Sequence, residues 1–463
     1  MKIRIIMILL AVIISSPLLF SQESADETSS QEKSVPEVDR REEIILYGID
    51  DEVKTVLSDL QREKLDKYNE LLLSVIHETR NADIIQAIYR LWDDTSYKDG
   101  LVVGREELNK VLEDEDFDPT TVQSAIAFIA DQKDSESLPL LYQLSDERDS
   151  RLAAASIRAI GKIPRIEGGE EQTDDYDAML LERLKKEDPI AEDDLVAALI
   201  VTLGELGYEP AADELSGIVE DSGGSAGHRR LACVSLGKIG RSEDFDIVER
   251  IFYESGDATL RSYALAGLAE FPDQDTADIL IQALKRDSFW RIRVTAAEKL
   301  AGKNGDGIDE LLRYKATNDP VTQVRVASLK TLGLSGEPEN FDYLLDFFKN
   351  NRNGTDVRLV ALSVLVKNNI TGTNDAVDSV MDELWEKDEG RFLEFVCRDL
   401  SRTDWVELGP LYQRMLSHSN WLLQIYGIRG IRRNSIQTLQ GKVNDMDRDG
   451  VDSRVRREVT NGK

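Results

Sequence analysis

The sequence predicts an all-α fold, a right-handed α-solenoid (superhelix) of about eleven stacked helix pairs behind an N-terminal signal peptide. Three observations predict it. From Glu42 onward, apolar and small residues recur at helical spacing between Gly, Asp and Asn clusters, and no run alternates as a strand does. The helical segments return at intervals of 31 to 35 residues over most of the chain, the mark of two-helix units that bury their faces against their neighbours. One arginine slot returns in the same register.

The N-terminus comes first in the chain. Lys2 and Arg4 precede an unbroken apolar run, Ile5 to Ile14, followed by Ser15, Ser16, Pro17 and a small residue, Ser21. This is the build of a secretory signal peptide spanning residues 1–21. The run is short of the ~20 apolar residues a membrane span needs, so no span is expected after cleavage, and the protein is expected to be exported to the periplasm or cell envelope. No cysteine lies near the cleavage point to carry a lipid anchor. Residues 22–43 are polar and charged with no apolar period and read as a flexible leader.

Divergent helical repeats follow over residues 44–117, then regular repeats over 118–463. "NADIIQAIYRLWDD" and "DPTTVQSAIAFIADQ" read as two early second helices, the latter opened by an Asp118 cap and Pro119, whose missing N–H costs nothing at a helix start. Later repeats align on the residue closing each second helix: Gly161, Gly204, Gly237, Ala269, Ala301, Gly333, Val366, Ser401 and Arg432. The positions nine and one before each marker are nearly always apolar, and the position five before is usually small. Residues spaced by four share one helix face, and a small residue in the middle of it lets a neighbouring helix approach. Between these helices lie more variable first helices such as "TADILIQALKR". The long step before Gly204 marks an insertion, residues 164–179, which carries six acids and reads as a solvated loop.

The strings "DATLRSYALAGLA", "FWRIRVTAAEKLA" and "TQVRVASLKTLG" resemble HEAT repeats of the short bacterial kind, also called phycobilisome-lyase-type HEAT-like repeats. The resemblance covers about residues 44 to 463. It implies a curved stack whose second helices line the concave side. On function it says little, because such arrays serve many tasks.

Arg229, Arg261, Arg293, Arg325 and Arg358 occupy one slot, and Arg456 enters it in a last, truncated repeat. Stacking brings them into a ladder. The expected partners are aspartates of the preceding loop or nearby helix carbonyls, with Asp257 also placed four residues before Arg261. The resemblance supports this structural role, since HEAT proteins carry a comparable packing ladder. Cys233 and Cys397 share another slot five repeats apart, too far for a disulfide, and read as buried small residues.

Charge bears most directly on function. The chain holds 57 Lys plus Arg against 88 Asp plus Glu, a net of −31, which disfavours nucleic acid. Yet nine second-helix segments hold 22 basic and 10 acidic residues, so a mildly basic inner wall inside an acidic shell is expected. Candidate partner-binding residues on it are Arg158, Arg230, Lys330, Arg398 and Arg429, with Trp290 and Trp421 in a shared slot. Tryptophan beside arginine is common at interface hot spots, although both also suit a role covering helix starts.

Little in the sequence points to catalysis. The three histidines, His77, His228 and His418, fall in separate repeats, so neither a zinc site nor the paired His-Glu iron site of deoxyhypusine hydroxylases is expected. No chromophore pocket of the bilin-lyase kind stands out. "DMDRDGVDSRVR", 445–456, begins like an EF-hand loop but ends in Arg456 where calcium needs a glutamate. The expectation is a non-enzymatic scaffold of the bacterial cell envelope that binds a protein or peptide partner on its inner wall. The basic lining favours acidic segments, and no cofactor is expected. The alternatives are an enzyme or lyase-like modifier with an unrecognised site, and a purely structural envelope element held by its leader.

Overall fold

The computed structural model describes residues 40–164, 170–188, 194–272, 274–303, 305–385 and 391–460. The expected signal peptide and most of the expected leader lie outside them. Described residues 40–43 are not extended: they open the first helix.

Among the described residues there is no strand, and twenty-six α-helices follow one another in pairs. The pairs are α1 (Arg40–Tyr47) with α2 (Asp50–Glu63), α3 (Asn69–Val75) with α4 (Ala82–Asp94), α5 (Leu101–Leu112) with α6 (Pro119–Asp131), and α7 (Leu138–Leu144) with α8 (Ser150–Lys162). Then come α9 (Glu170–Leu184) with α10 (Asp194–Glu205), α11 (Ala212–Glu220) with α12 (Ala226–Ile239), α13 (Phe245–Glu254) with α14 (Ala258–Leu268), α15 (Ala277–Arg286) with α16 (Trp290–Lys299), and α17 (Ile308–Asn318) with α18 (Thr322–Leu334). The last four are α19 (Pro338–Lys349) with α20 (Thr355–Lys367), α21 (Thr373–Leu384) with α22 (Arg391–Ser401), α23 (Gly409–Leu416) with α24 (Trp421–Arg433), and α25 (Gln437–Asn444) with α26 (Ser453–Thr460).

Thirteen pairs stand where about eleven were expected. The divergent pair ending in α2 fell outside the alignment, and the last, truncated repeat entered by Arg456 is a pair ending in α26. The acidic insertion is a second difference. Residues 170–184 are not a loop but α9, a first helix of ordinary kind.

Polar side chains start many second helices. Asn81, Asp118, Asp149, Asp257 and Asn420 each accept a hydrogen bond from a main-chain N–H of the first turn, at 2.8 to 3.0 Å, satisfying donors that a helix start leaves orphaned. Gly240 ends α12 in the left-handed region, φ 79°, which glycine enters without steric cost.

Each second helix packs on the next from α2 to α26, so one row runs through both the divergent and the regular repeats. Neighbouring first helices meet less closely, and a stack tighter on one side curves toward that side. The face read from the sequence is the buried face. Ser156, Leu199, Ala232, Ala264, Ala296, Ser328, Ala361 and Val396, all five before a marker, are 0 % exposed.

A row of hydroxyl groups pins successive second helices together. Thr202 Oγ1 donates to the Ile157 carbonyl, Ser235 Oγ to Ile200 and Thr331 Oγ1 to Ala297, each at 2.9 Å. Where the row reaches Gly267 there is no side chain at all. Gly237 and Gly267 bring the backbones of α12 and α14 into contact, and a Cβ on Gly267 would overlap the Cys233 carbonyl oxygen.

Candidate protein-binding wall

The ladder fixes the frame of the wall. Arg229, Arg261 and Arg358 donate from Nε to main-chain carbonyls at the end of their own repeat's first helix: Val219 at 3.0 Å, Phe252 at 2.9 Å and Phe348 at 2.7 Å. Those are carbonyls that a helix C-terminus leaves without partners. Arg293 instead donates from Nη1 to the Asp287 and Ser288 carbonyls at 3.0 and 3.3 Å.

The carboxylate partners correct the expectation. They come from the following repeat, not the preceding loop. Arg293 grips both oxygens of Asp319, Nε to Oδ2 at 2.9 Å and Nη2 to Oδ1 at 2.8 Å, and one repeat earlier Arg261 meets Asp287 through Nη2 alone. Asp287 and Asp319 are the C-cap residues of α15 and α17. Asp257 does not pair with Arg261. It caps α14 and meets Arg230 at 2.9 Å. Among the described residues Arg325 donates to Thr322 Oγ1 alone, at 2.9 Å, and Arg456 lies 3.7 Å from Asp449 near the surface.

The Asp319 side chain is 1 % exposed and is shared with Lys315 at 3.3 Å. Burial alone would push its carboxyl up. The Arg293 hydrogen bonds, the Val321 N–H and the cationic charge outweigh it, and the net direction is down. Asp257 is also held below the usual carboxylate range, first by the hydrogen bond from Arg230.

Four of the five candidate cations on the second helices are paired with acids. Arg158 pairs with Asp194 of the next second helix, and Arg429 grips Glu458 through two bonds of 2.9 Å. Arg398 holds Asp399 at 2.9 Å and lies 5.0 Å from the Phe395 ring. Lys162–Asp131, Lys238–Glu205 and Lys299–Glu270 join neighbouring repeats along the same row. Of the five candidate cations only Lys330 is exposed with no ion-pair partner among the described residues. The other four thus sit beside a carboxylate, but Asp194, Asp257 and Asp399 are already among the ten acids of the counted segments, so the basic excess of the inner helices remains. Trp290 is partly buried beside the Arg291 guanidinium, 5.2 Å from it. Trp421 is partly buried with Arg454 stacked on its ring at 3.6 Å. Both rings cover helix starts.

Between these pairs runs a stripe that charge did not disclose. Val201 and Val234 occupy the slot that holds Arg158 and Lys330 elsewhere, and Val294, Val326 and Leu359 occupy the slot of Arg230. All five are partly exposed, and Tyr263 beside them is 40 % exposed. Their register could have flagged them, but an apolar residue on a repeat helix reads by default as core.

Among the described residues no group of three or more His, Cys, Asp or Glu could hold a metal ion. His77 sits 3.8 Å from Glu106, and His418 is 3.3 Å from the Trp385 carbonyl. In the 445–456 stretch, Asp452 caps α26 through the Arg454 N–H at 2.9 Å, and the Arg454 side chain holds its pKa down to about 2. Among the described residues no helix is long and apolar enough to cross a membrane.

Cys233 and Cys397 are free and 0 % exposed, and burial pushes both thiols up to about 12. Neither should react with a maleimide at neutral pH while the protein is folded, because the thiolate is the nucleophile. Two labels should be taken up after denaturation, and native labelling would place a thiol at the surface.

A family model described as "Spirochaete HEAT repeat protein" matches residues 45–461. No curated protein matches the chain. Among solved structures it is similar to the complex of CpcE and CpcF of phycocyanin lyase from Nostoc, at 17 % identity over 53 % of this chain and 94 % of that one, TM-score 0.33. It is also similar to Kap121p bound to Nup53p, at 12 % identity over 91 % of this chain and 50 % of that one, TM-score 0.39. The Pds5–Scc1 complex follows at 11 % identity over 86 % of this chain and 75 % of that one, TM-score 0.33. The chain thus spans about half the length of Kap121p.

Proposed function

Because the chain belongs to the spirochaete HEAT repeat family, we propose that it is a non-enzymatic protein-binding scaffold of the bacterial cell envelope. The partner lies along the second helices and is held by shape and apolar contact, with no bond made or broken. One observation carries this reading: Val201, Val234, Tyr263, Val294, Val326 and Leu359 form a partly exposed apolar series on a wall whose cations are mostly engaged with acids. Contiguous exposed apolar surface marks interaction sites. The partner accordingly presents an apolar face, and the paired arginines set the borders of the contact.

Export rests on the pattern of residues 1–21. The protein recovered from cell envelopes should begin at Gln22, and intact mass reads this directly. Recovery of the full-length chain from the cytosol alone would remove the envelope from the proposal.

The wall is tested by Val234→Asp with Val326→Asp. Both sites are partly exposed, so the fold should hold, as circular dichroism would report. Photo-crosslinking in cells from position 294 should lose its partner bands by at least tenfold in the double variant. Charge reversal at Arg230, Lys330 and Arg429 should change them less. Bands unaltered by the aspartates would exclude this face.

A further inference from the structure

The turn between α19 and α20 reads Asn350-Asn351-Arg352-Asn353-Gly354. Asn353 is the one asparagine followed by glycine among the described residues. The main-chain nitrogen after an asparagine is the nucleophile that can close on its side-chain carbon, and a side chain on that next residue hinders the approach. Here there is none, and the surroundings are open: within 4 Å a Cβ on Gly354 would meet only Val357 Cγ2, at 3.9 Å. Gly354 is exposed and stands just before the first turn of α20, and its N–H makes no hydrogen bond among the described residues.

Asn353 also holds the turn together. Its main-chain N–H donates to the Asn350 carbonyl at 3.1 Å, and its Nδ2 donates to the Phe347 carbonyl at 2.9 Å. The next carbonyl, that of Phe348, takes Arg358 Nε at 2.7 Å. Two carbonyls that the end of α19 leaves orphaned are thus tied to the segment leading into α20.

We propose that Asn353 is a site of spontaneous deamidation, a modification that needs no enzyme and consumes only water. The Gly354 nitrogen gives its proton to solvent base and bonds to Asn353 Cγ. The Cγ–Nδ2 bond breaks, and Nδ2 takes a proton from solvent and leaves as ammonia. The resulting succinimide adds one water. Attack at Cγ gives aspartate, and attack at the main-chain carbonyl gives isoaspartate, with the chain rerouted through the former side chain. Either product ends the bond to Phe347, because a carboxylate has no hydrogen to donate. It also sets a negative charge against the C-terminal end of α19, where the helix dipole is already negative. Isoaspartate further lengthens the main chain by one atom directly ahead of α20. The joint between α19 and α20 therefore loosens as the molecule ages, whatever the wall binds.

Trypsin, cutting after Arg352 and Arg358, releases residues 353–358 as one peptide. The folded protein is held in mildly alkaline buffer and sampled over time, with a zero-time digest as background. The peptide should gain the mass difference between amide and acid and split into two forms, the isoaspartyl one in excess. Conversion should quicken as pH rises, because the attacking nitrogen must be deprotonated. It should quicken in denaturant as well, which frees Asn353 from Phe347. Gly354→Ala, for which there is room, should slow it at least tenfold with an unchanged circular dichroism spectrum. Asn353→Asp, the aspartyl product made directly, should melt at a lower temperature than the native protein. A peptide still unconverted after many half-lives of the same sequence free in solution, or conversion at the native rate in Gly354→Ala, overturns the site. An unchanged melting temperature in Asn353→Asp overturns the loosening of the joint.

Discussion

Asp319→Ala is expected to cost about 3–5 kcal/mol, the range for breaking a buried ion pair and leaving the other charge uncompensated. Here two cations are stranded. Arg293, with a side chain 9 % exposed, loses both of its carboxylate bonds, and Lys315, 10 % exposed, loses its contact at 3.3 Å. Chemical denaturation should show the loss chiefly in the transition that reports α15 to α18, because repeat arrays transmit stability between neighbours rather than through one core. Asp319→Asn tests the electrostatic part by pH. The folded carboxyl is held below its ordinary value, so its contribution is complete above ~4, the unfolded aspartate range. It disappears as the pH drops through the lower folded value. Native protein should therefore lose stability more steeply in acid than Asp319→Asn does. Parallel profiles would show that the carboxylate contributes nothing through its charge.

Gly267→Ala is expected to cost about 2–3 kcal/mol, in the range for forcing extra volume into a closed contact. A Cβ at Gly267 would overlap the carbonyl of Cys233, and one at Gly237 would overlap the carbonyl of Gly267. Both obstacles are main chain and cannot rotate aside. The sign is informative because alanine is otherwise the better helix former by ~1 kcal/mol. Gly217→Ala in α11 is the matched control, since nothing lies within 4 Å of a Cβ there, and it should be neutral or slightly stabilising. Equal urea midpoints for Gly267→Ala and Gly217→Ala would mean that α12 and α14 do not meet backbone to backbone.

The helical face was legible because one physical requirement imposes it in every repeat. The buried series from Ser156 to Val396 is the series that spacing alone picks out. The arginine slot was legible too, but its partner was not. A sequence shows that an aspartate precedes Arg293 by six residues, as Asp287 does, and does not show that the side chain reaches forward to Asp319. The wall's charge was legible as a sum but not as pairs: Arg158 and Asp194 stand 36 residues apart and meet only once stacked. The apolar stripe from Val201 to Leu359 stayed hidden because its residues share a chemistry with the core, and exposure, not identity, separates them. The hydroxyl pins at Thr202, Ser235 and Thr331 had a register but no visible acceptor.

Those three pins and the Arg261 and Arg293 rungs have one thing in common: each ties a residue to another 26 to 45 positions away, about one step of the stack. A joint of such short reach is indifferent to how many others exist. Tandem duplication or loss of a whole unit within the regular stretch would recreate the same joints and change only how far the molecule reaches. The overall span of this protein is therefore a quantity that inheritance can lengthen or shorten in fixed increments, as links are added to a chain, without redesigning any link.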